Sequence, residues 1–274
     1  MKKESLDVCF LYGTCLGRIL LKALVKPGFS QLAEKYLDSP WSRWMVPVYI
    51  RKHGIYIGEY ERENYRSFQD FFIRKRKAGF QSCDKEERHL ISPCDGFLSA
   101  YPIGKDSAYR IKHVKYSVAE LLQNKKLAER FQGGTCLIFR LTPGNYHRYC
   151  YVDEGKTVAQ IGIPGVLHCV RPMAYERYPV FIQNSREYAL LRTEHFGTMV
   201  QMEVGALLVG KINNYADIQS FHRGEEKGYF KFGGSTIILL LEKGRVRLGQ
   251  RVLKNMQRGQ ETKVRMGSCI AVGR

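Results

Sequence analysis

The sequence lacks the long apolar run that a membrane-spanning helix requires. Such a helix needs about 20 consecutive apolar residues, whereas the best candidate among the 274 residues, 8–17, ends at Arg18. Glu4 and Asp7 precede this run, where a secretory signal peptide carries basic residues instead. We therefore expect an intracellular chain with neither a spanning helix nor a cleaved signal peptide.

Cysteine motifs with an obvious purpose are also missing. The chain has eight cysteines, but no two of them form a CxxC pair and none stands near a histidine at zinc-finger spacing. A disulfide framework is not expected in a chain long enough to bury a sizeable core. We interpret the cysteines as free structural thiols in a reducing compartment, and we predict no metal site.

Acidic residues are scarce relative to basic ones. There are 26 Asp and Glu against 44 Lys and Arg, which gives a formal net charge of +18. A charge this large favours a polyanionic partner, either nucleic acid or an anionic membrane surface. Because no RNP, zinc-finger or helix-turn-helix signature is present, no nucleic-acid partner is expected.

The N-terminal region, 1–60, has the pattern of basic amphipathic helices. Apolar residues recur at helical spacing over 8–26, and Arg18, Lys22 and Lys26 fall four residues apart on one stripe. Both tryptophans, Trp41 and Trp44, lie in this region among cations, as is typical of residues at the lipid headgroup level. We predict membrane-associating helices here; packing against the protein's own core is the alternative.

After Ile91 the pattern changes to short apolar runs separated by Gly, Pro and Asn, which are typical of strands and turns. One helix is predicted in this part, over 117–131, with Ser117 as its N-cap and Glu120 completing a capping box. The expected fold class is α+β, with a β-rich catalytic domain over 61–274 that follows the N-terminal helices.

Three stretches contain side chains that could take part in catalysis: SPCDG at 92–96, LTPGNYHRY at 141–149 and KFGGST at 231–236. Each has an ordinary structural explanation on its own, such as an Asx-turn or a Gly-Gly turn. Together they supply Asp95, His147 and Ser235, an acid, a base and a hydroxyl that suit an activated nucleophile.

Gly234 makes the serine unusual. A glycine has no Cβ, so its carbonyl can bend towards the next hydroxyl without a steric penalty. Attack by the Ser235 hydroxyl on the preceding peptide bond produces an ester by an N-to-O shift. Elimination then breaks the chain, and hydrolysis of the resulting dehydroalanine leaves a pyruvoyl group at position 235.

These motifs, with PGVLHCVRPMA at 164–174 and KGYFKFGGST at 227–236, resemble the phosphatidylserine decarboxylase family. The resemblance implies a proenzyme that cuts itself between Gly234 and Ser235. It implies a β chain, 1–234, that stays associated with an α chain, 235–274, and cleavage at the edge of a strand. The α chain would begin with the covalent pyruvoyl cofactor formed from Ser235.

The resemblance also implies the reaction. The pyruvoyl ketone would form a Schiff base with the amine of phosphatidylserine and accept electrons as CO₂ leaves, which yields phosphatidylethanolamine. A lipid substrate places the enzyme peripherally on the cytoplasmic face of the cell membrane, bound to anionic phospholipid. The oligomeric state stays open, with a homodimer as one alternative.

One position departs from the family's His-Arg-x-His pattern, because this chain has Cys150 where the second histidine is expected. We predict that His147 serves both self-cleavage and decarboxylation. His168 and His195 are the alternatives for the second role. Since a thiol is a poor substitute for imidazole as a reversible base, Cys150 is expected to pack as a small apolar residue.

Two other functions compete with this one. The first is a pyruvoyl-dependent decarboxylase of a soluble amino acid, which the amphipathic N-terminal region disfavours. The second is a membrane-binding homologue that is never processed. An intact mass that shows one chain or two separates the second from the enzymatic alternatives.

Overall fold

The computed structural model describes residues 14, 16, 17, 27–175, 178–206, 211–215, 219–232 and 235–274. The helix predicted over 8–26 lies outside the described residues except for 14, 16 and 17, and Gly234 lies outside them as well. The remaining chain is α+β and rich in strands, as the sequence predicts.

The helices are short and stand before the strands or in the connections between them. Two 3₁₀ turns, Pro40–Ser42 and Ile57–Glu59, flank the second helix. The helix bounds are α1 Pro27–Asp38, α2 Met45–His53, α3 Phe68–Phe72, α4 Val118–Leu122, α5 Lys125–Glu129, α6 Pro172–Tyr175, α7 Val180–Gln183 and α8 Gln250–Gln257.

The strands form one large antiparallel sheet and three small ones. Their bounds are β1 His89–Ile91, β2 Gly96–Pro102, β3 Ala108–Ile111, β4 Val114–Ser117, β5 Thr135–Leu141, β6 Arg148–Cys150, β7 Gly155–Ile163, β8 Arg186–Thr193, β9 Gly197–Gly205, β10 Ile212–Asn214, β11 Ser220–Phe221, β12 Glu226–Phe230, β13 Ser235–Leu241, β14 Val246–Leu248, β15 Thr262–Val264 and β16 Cys269–Gly273. The large sheet has the order β11-β7-β8-β9-β13-β5-β2-β15. The small sheets are β1-β16-β14, β10-β12-β6 and the hairpin β3-β4.

Strand β13 lies in the middle of the large sheet and begins at Ser235. All seven of its residues are buried, and it pairs with β9 on one side and β5 on the other. Because successive side chains of a strand point to opposite faces, Ile238 and Leu240 enter one hydrophobic core, whereas Ile237, Leu239 and Leu241 enter a second. Ser235 is therefore on the face of the second core.

The predicted single helix over 117–131 is wrong, because the chain forms two helices there. Ser117 is the N-cap of α4, as predicted, and its hydroxyl accepts from the Glu120 N–H. Helix α4 stops at Gln123, which adopts a left-handed conformation with φ of 49°. The side chain of Asn124 then caps α5 by accepting from the Leu127 N–H at 2.9 Å. The preference of Asn124 for the N-cap position therefore divides 117–131 into the two helices α4 and α5.

Helices α1, α2 and α3 surround a third, smaller core of Leu37, Val46 and the aromatic residues of α3. This packing leaves Trp41 and Trp44 on the outside, with 83% and 63% of their surface exposed. None of the helices within the described residues has the length and apolar character needed to cross a membrane. An interfacial role for α1 and α2 therefore stays a prediction.

Candidate functional site

Ser235 occupies the first position of β13 and is fully buried. Its neighbours across the sheet are Leu141 at the end of β5 and Gly205 at the end of β9. The Ser235 Oγ atom has no hydrogen-bond partner among the described residues. An unpaired buried hydroxyl costs free energy, so it calls for a functional explanation.

His147 lies between β5 and β6 and is also buried. Its ring packs on Phe72 of α3, with ring centroids 4.2 Å apart. Phe232, three residues before Ser235, packs on the same Phe72 ring at 5.0 Å. The Phe72 ring therefore brings His147 together with the segment that leads into β13.

The hydrogen bonds of His147 fix its tautomer. The Nδ1 atom lies 2.9 Å from the carbonyl oxygen of Asn145, so Nδ1 carries the hydrogen and donates it. The buried Nε2 atom then has a free lone pair, and no described residue pairs with it. Burial, reinforced by the positive charge of Arg74, lowers the pKa of His147 to about 3. His147 is thus an unprotonated base at neutral pH.

Arg74 is a buried cation that sequence reasoning missed. Only 3% of its surface is exposed, and its guanidinium donates to the carbonyl oxygens of Phe71, Phe72 and Asn145. It also lies over the ring of Tyr60 at 4.6 Å. Since Arg74 belongs to the run RKRK at 74–77, it looks in the sequence like a solvated surface charge.

Asp95 is buried at the entrance to β2, where two groups hold its carboxylate. The Arg76 guanidinium approaches at 2.5 and 3.3 Å, and the N–H of Met266 donates to Oδ1 at 2.9 Å. The hydrogen bond that orients His147 comes from Asn145, not from Asp95. Asp95 reaches the histidine segment through Arg76, which lies over the ring of Tyr146 at 4.4 Å.

Sheet register places Asp95 and Ser235 at the same end of the strands in the large sheet. Arg140 lies opposite both Thr236 on β13 and Phe97 on β2. Thr236 and Phe97 are therefore two strand spacings apart, which is about 10 Å. Gly96 permits the close approach at this end, because a Cβ there would lie 2.8 Å from the Arg140 carbonyl oxygen.

The two alternative histidines occupy different places. His195 follows β8 and binds Asp153 at 2.9 Å. It lies next to Gly197, at the far end of β9 from Gly205, which is about 26 Å along the strand. The backbone of His168 is joined to Gly205 through the Asn184 side chain, so His168 lies towards the Ser235 end of the sheet.

Cys150 packs as expected from the sequence. It is 1% exposed within the second core, and burial raises the pKa of its thiol. The thiol therefore stays protonated at neutral pH.

A second group of buried polar residues shares the face of Ser235 and was also missed. Glu203 lies opposite Ile237 of β13, and its Oε2 atom binds the Nζ of Lys227 at 2.7 Å. Asn214 accepts from the same Nζ at 2.7 Å and from the Tyr149 hydroxyl at 3.1 Å. Burial raises the pKa of Glu203, and Lys227 opposes this shift. The network pairs Glu203 Oε2 with Lys227 inside the core, whereas Glu203 Oε1 and Ser235 Oγ have no hydrogen-bond partner among the described residues.

Comparison with known proteins shows to which protein family this chain belongs. The sequence profile of the phosphatidylserine decarboxylase family matches residues 68–272. The chain belongs to this family. It is 45% identical to a phosphatidylserine decarboxylase proenzyme 2 of Clostridium acetobutylicum, over 95% of this chain and 90% of that protein. It is 40% identical to a phosphatidylserine decarboxylase proenzyme of Ruminiclostridium cellulolyticum, over 95% of this chain and 89% of that protein.

A third phosphatidylserine decarboxylase proenzyme, from Clostridium novyi, is 39% identical over 95% of this chain and 90% of its own length. The profile match covers Asp95, His147 and Ser235, whereas α1 and α2 precede it. The relatives extend the similarity into that N-terminal part. Membership of the phosphatidylserine decarboxylase family therefore confirms the resemblance drawn from the motifs.

Proposed function

We propose that the chain is a proenzyme that breaks the bond between Gly234 and Ser235 and then converts phosphatidylserine to phosphatidylethanolamine and CO₂. Family membership and the names of the relatives support the reaction. The observation that carries the proposal for the site is the pair of buried atoms Ser235 Oγ and His147 Nε2, neither of which has a partner among the described residues. One is a donor and the other a base.

In the proposed self-cleavage, His147 Nε2 takes the proton of the Ser235 hydroxyl. His147 suits this role because it has a free lone pair on Nε2 and an Nδ1 hydrogen held by Asn145, and because burial keeps the ring unprotonated at neutral pH. The Ser235 oxygen then attacks the Gly234 carbonyl carbon, and the peptide nitrogen exchanges its bond to that carbon for a bond to a proton. Burial keeps water away while the ester forms.

The surroundings of Ser235 fit a pyruvoyl group. The residue is fully buried, its only polar side-chain atom has no partner among the described residues, and Leu141 and Gly205 hold its backbone on both sides. The methyl group that replaces the hydroxymethyl side chain loses no hydrogen bond that the Ser235 hydroxyl makes with a described residue. Once formed, the group supplies the electron sink that decarboxylation of an amino acid needs. We assign proton return to the substrate carbon to His147 as well.

Asp95 has a supporting role in this proposal. Its carboxylate holds Arg76, which packs against the segment of His147, and it also binds the backbone of Met266. Met266 belongs to the proposed short chain, 235–274. Asp95 is therefore suited to keep the His147 segment and the short chain in register after cleavage, as a positioning residue.

Association of the two chains after cleavage follows from the fold. The short chain supplies β13 at the centre of the large sheet, paired along its whole length with β5 and β9. It also supplies β15 and β16, which pair with β2 and β1 of the long chain. Because separation would expose three paired strands, we expect the chains to stay together.

The membrane face is proposed to be the surface around α1 and α2. Trp41, Trp44 and Tyr56 expose 83%, 63% and 69% of their surface there, and Arg51 and Lys52 close α2. Exposed tryptophan among cations suits the headgroup region of an anionic bilayer, where each basic residue contributes about 1 kcal/mol. We propose that the protein binds there peripherally, at the cytoplasmic face of the membrane.

The reaction is tested by CO₂ release from purified protein. Phosphatidylserine labelled at the serine carboxyl, in vesicles, is the expected substrate, and free serine is the comparison. Release from the lipid alone supports the proposal. Release from free serine alone would instead assign the chain to the decarboxylases of soluble amino acids, and release from neither would contradict an enzymatic role.

The membrane face is tested by flotation with vesicles that contain phosphatidylserine. We expect the double variant Trp41→Ala/Trp44→Ala to float less than the unaltered protein. Leu253→Ala on α8 is the matched control, because Leu253 is another exposed apolar residue, at 40% exposure, outside this surface. Equal flotation of all three proteins would remove the tryptophans from the proposal.

A further inference from the structure

Three metal-ligating side chains meet beside the small sheet β1-β16-β14, whereas Ser235 begins a strand of the large sheet. One donor atom each from Asp84, His89 and Cys269 lies within 4.8 Å of the others. The Asp84 Oδ2 and His89 Nδ1 atoms are 3.0 Å apart. Sequence spacing showed no sign of this cluster, because the cysteine stands 180 residues after the histidine.

Backbone hydrogen bonds hold the three residues in place. The N–H of Asp84 donates to the Gly267 carbonyl at 2.9 Å, and the N–H of Ser92 donates to the Ser268 carbonyl at 2.9 Å. Cys269 pairs with Ile91, two residues after His89, in the β1–β16 ladder. The donors are thus brought together by paired strands and not by a chance approach of flexible side chains.

The donor set suits a borderline transition metal such as Zn²⁺. A thiolate, an imidazole and a carboxylate are the three side-chain types that bind zinc, at about 2.0–2.3 Å. Tetrahedral bonds of that length place neighbouring donors about 3–4 Å apart, close to the spacing seen here. The thiolate and the carboxylate together balance the charge of a divalent cation.

The surroundings of the cluster also fit a metal centre. Asp84 Oδ1 accepts from the Glu86 N–H at 2.9 Å, an anchoring contact that leaves Oδ2 for the ion. Cys269 is exposed, and the side chains of Asp84 and His89 keep 26% and 33% of their surface. Solvent can therefore supply a fourth ligand. The nearby Arg223 is already bound to Asp153 and the His89 carbonyl oxygen.

We propose that Asp84, His89 and Cys269 bind a divalent transition metal of the Zn²⁺ class, and that the ion ties the proposed long chain to the short chain. Asp84 and His89 belong to 1–234, whereas Cys269 belongs to 235–274. The second clause rests on the proposed cleavage at Ser235; the metal site itself does not. Binding requires the Cys269 thiol to release its proton to solvent and His89 to carry its hydrogen on Nε2, so that Nδ1 is free to bind the ion.

Metal binding is tested with Co²⁺ and Zn²⁺ on the full chain under reducing conditions, using an uncut Ser235→Ala variant so that cleavage plays no part. We expect one Co²⁺ per chain with a thiolate-to-cobalt charge-transfer band that Zn²⁺ displaces. Cys269→Ser should abolish the band, and His89→Gln should weaken affinity at least about tenfold.

Matched controls are Cys169→Ser, at a half-buried cysteine elsewhere, and His113→Gln, at an exposed histidine. Both should bind Co²⁺ like the parent variant. Absence of a thiolate band, or a band that survives Cys269→Ser, would overturn the site.

The link between the chains is tested on processed protein. We expect the short chain to separate from the long chain at a higher urea concentration with Zn²⁺ than with EDTA, and Cys269→Ser should remove the difference. Identical urea profiles with Zn²⁺ and EDTA would refute the link while leaving the metal site intact. A chain that is never cut would refute the link and the proposed processing together.

Discussion

Ser235 and Thr236 are adjacent hydroxyl residues with opposite surroundings. Both are fully buried, and neither side-chain oxygen has a hydrogen-bond partner among the described residues. Thr236 stands between Val204 and Arg140, and Arg140 is bound by Glu261. A valine and a paired cation cannot accept a proton.

Ser235 points to the other face of the sheet, towards the second core. Phe72 contacts both the buried imidazole of His147 and Phe232, three residues before Ser235. That imidazole is unprotonated, and its Nε2 atom has no partner in the described part of the chain. An unsatisfied hydroxyl is therefore not by itself a reactive group. We propose that Ser235 becomes reactive because the fold also supplies His147 as a base.

The largest difference is expected between two variants that each remove one of these hydroxyls. Ser235→Ala should abolish cleavage and all decarboxylation, because no oxygen remains to attack the Gly234 carbonyl. Thr236→Val should leave cleavage intact, since the hydroxyl that it removes makes no hydrogen bond with a described residue. A denaturing gel distinguishes one chain from two. Cleavage lost equally in both variants would show that the two hydroxyls do not differ in the way proposed.

Replacement of the base should give the next largest effect. His147→Ala should slow self-cleavage by about 10²–10⁴-fold, the usual contribution of a positioned general base. His113→Ala, at an exposed histidine between β3 and β4, is the control and should be cut normally. The rate is followed after synthesis by the appearance of the short chain. Normal cutting of His147→Ala would exclude His147 and favour His168.

The ion pair on the Ser235 face should affect stability more than any surface pair. Lys227→Met leaves Glu203 buried without its cation and should cost about 3–5 kcal/mol in the free energy of unfolding. Lys75→Met removes a solvent-exposed partner of Glu61 and should cost less than about 1 kcal/mol. Urea unfolding measures both. Equal costs would mean that the buried network contributes no more than the surface.

The depressed pKa of His147 predicts how stability depends on pH. The pKa is about 3 in the folded chain and about 6.5 when unfolded, so the unfolded state binds more protons between these values. The contribution of neutral His147 to the free energy of unfolding is complete above pH 6.5 and is lost progressively as the pH falls towards 3. Between about pH 7 and pH 5 the loss amounts to about 2 kcal/mol.

This pH effect is measured as a difference between proteins. His147→Gln should show a smaller loss of unfolding free energy than the unaltered chain over the same range. Parallel pH profiles would show that His147 is not held unprotonated by the fold.

The smallest effect is expected at Cys150. Because its thiol is protonated and packed in the second core, Cys150→Ser should be processed fully, with only a modest loss of stability from burying a hydroxyl. Intact mass after purification measures the extent of cutting. Blocked processing would show that Cys150 takes the part of the histidine that the family has at this position.

Local patterns predicted several of the longer strands. The apolar runs that became β2, β5, β9 and β13 are bounded by Gly, Pro or Asn, and these residues end strands through backbone preferences that the sequence displays directly. The N-cap at Ser117 was likewise visible. The break at Gln123 was not, because two capping residues compete within one helical pattern and the sequence does not reveal which one prevails.

Long-range contacts could not be predicted. Arg74, Arg76 and Lys227 look like surface cations in the sequence, and only the fold buries them against carbonyl oxygens, Asp95 and Glu203. The motifs predicted that Asp95, His147 and Ser235 belong to one region. They did not predict that Asn145 orients His147, since that contact depends on how the loop after β5 folds.

The proposed mechanism depends above all on the bond between Gly234 and Ser235 being broken by the serine beside it. Mass spectrometry of the purified protein is the decisive measurement. We predict two chains, 1–234 and 235–274, with the short chain lighter by one ammonia than its seryl form and refractory to Edman sequencing. A single intact chain that nevertheless releases CO₂ from phosphatidylserine would contradict this mechanism.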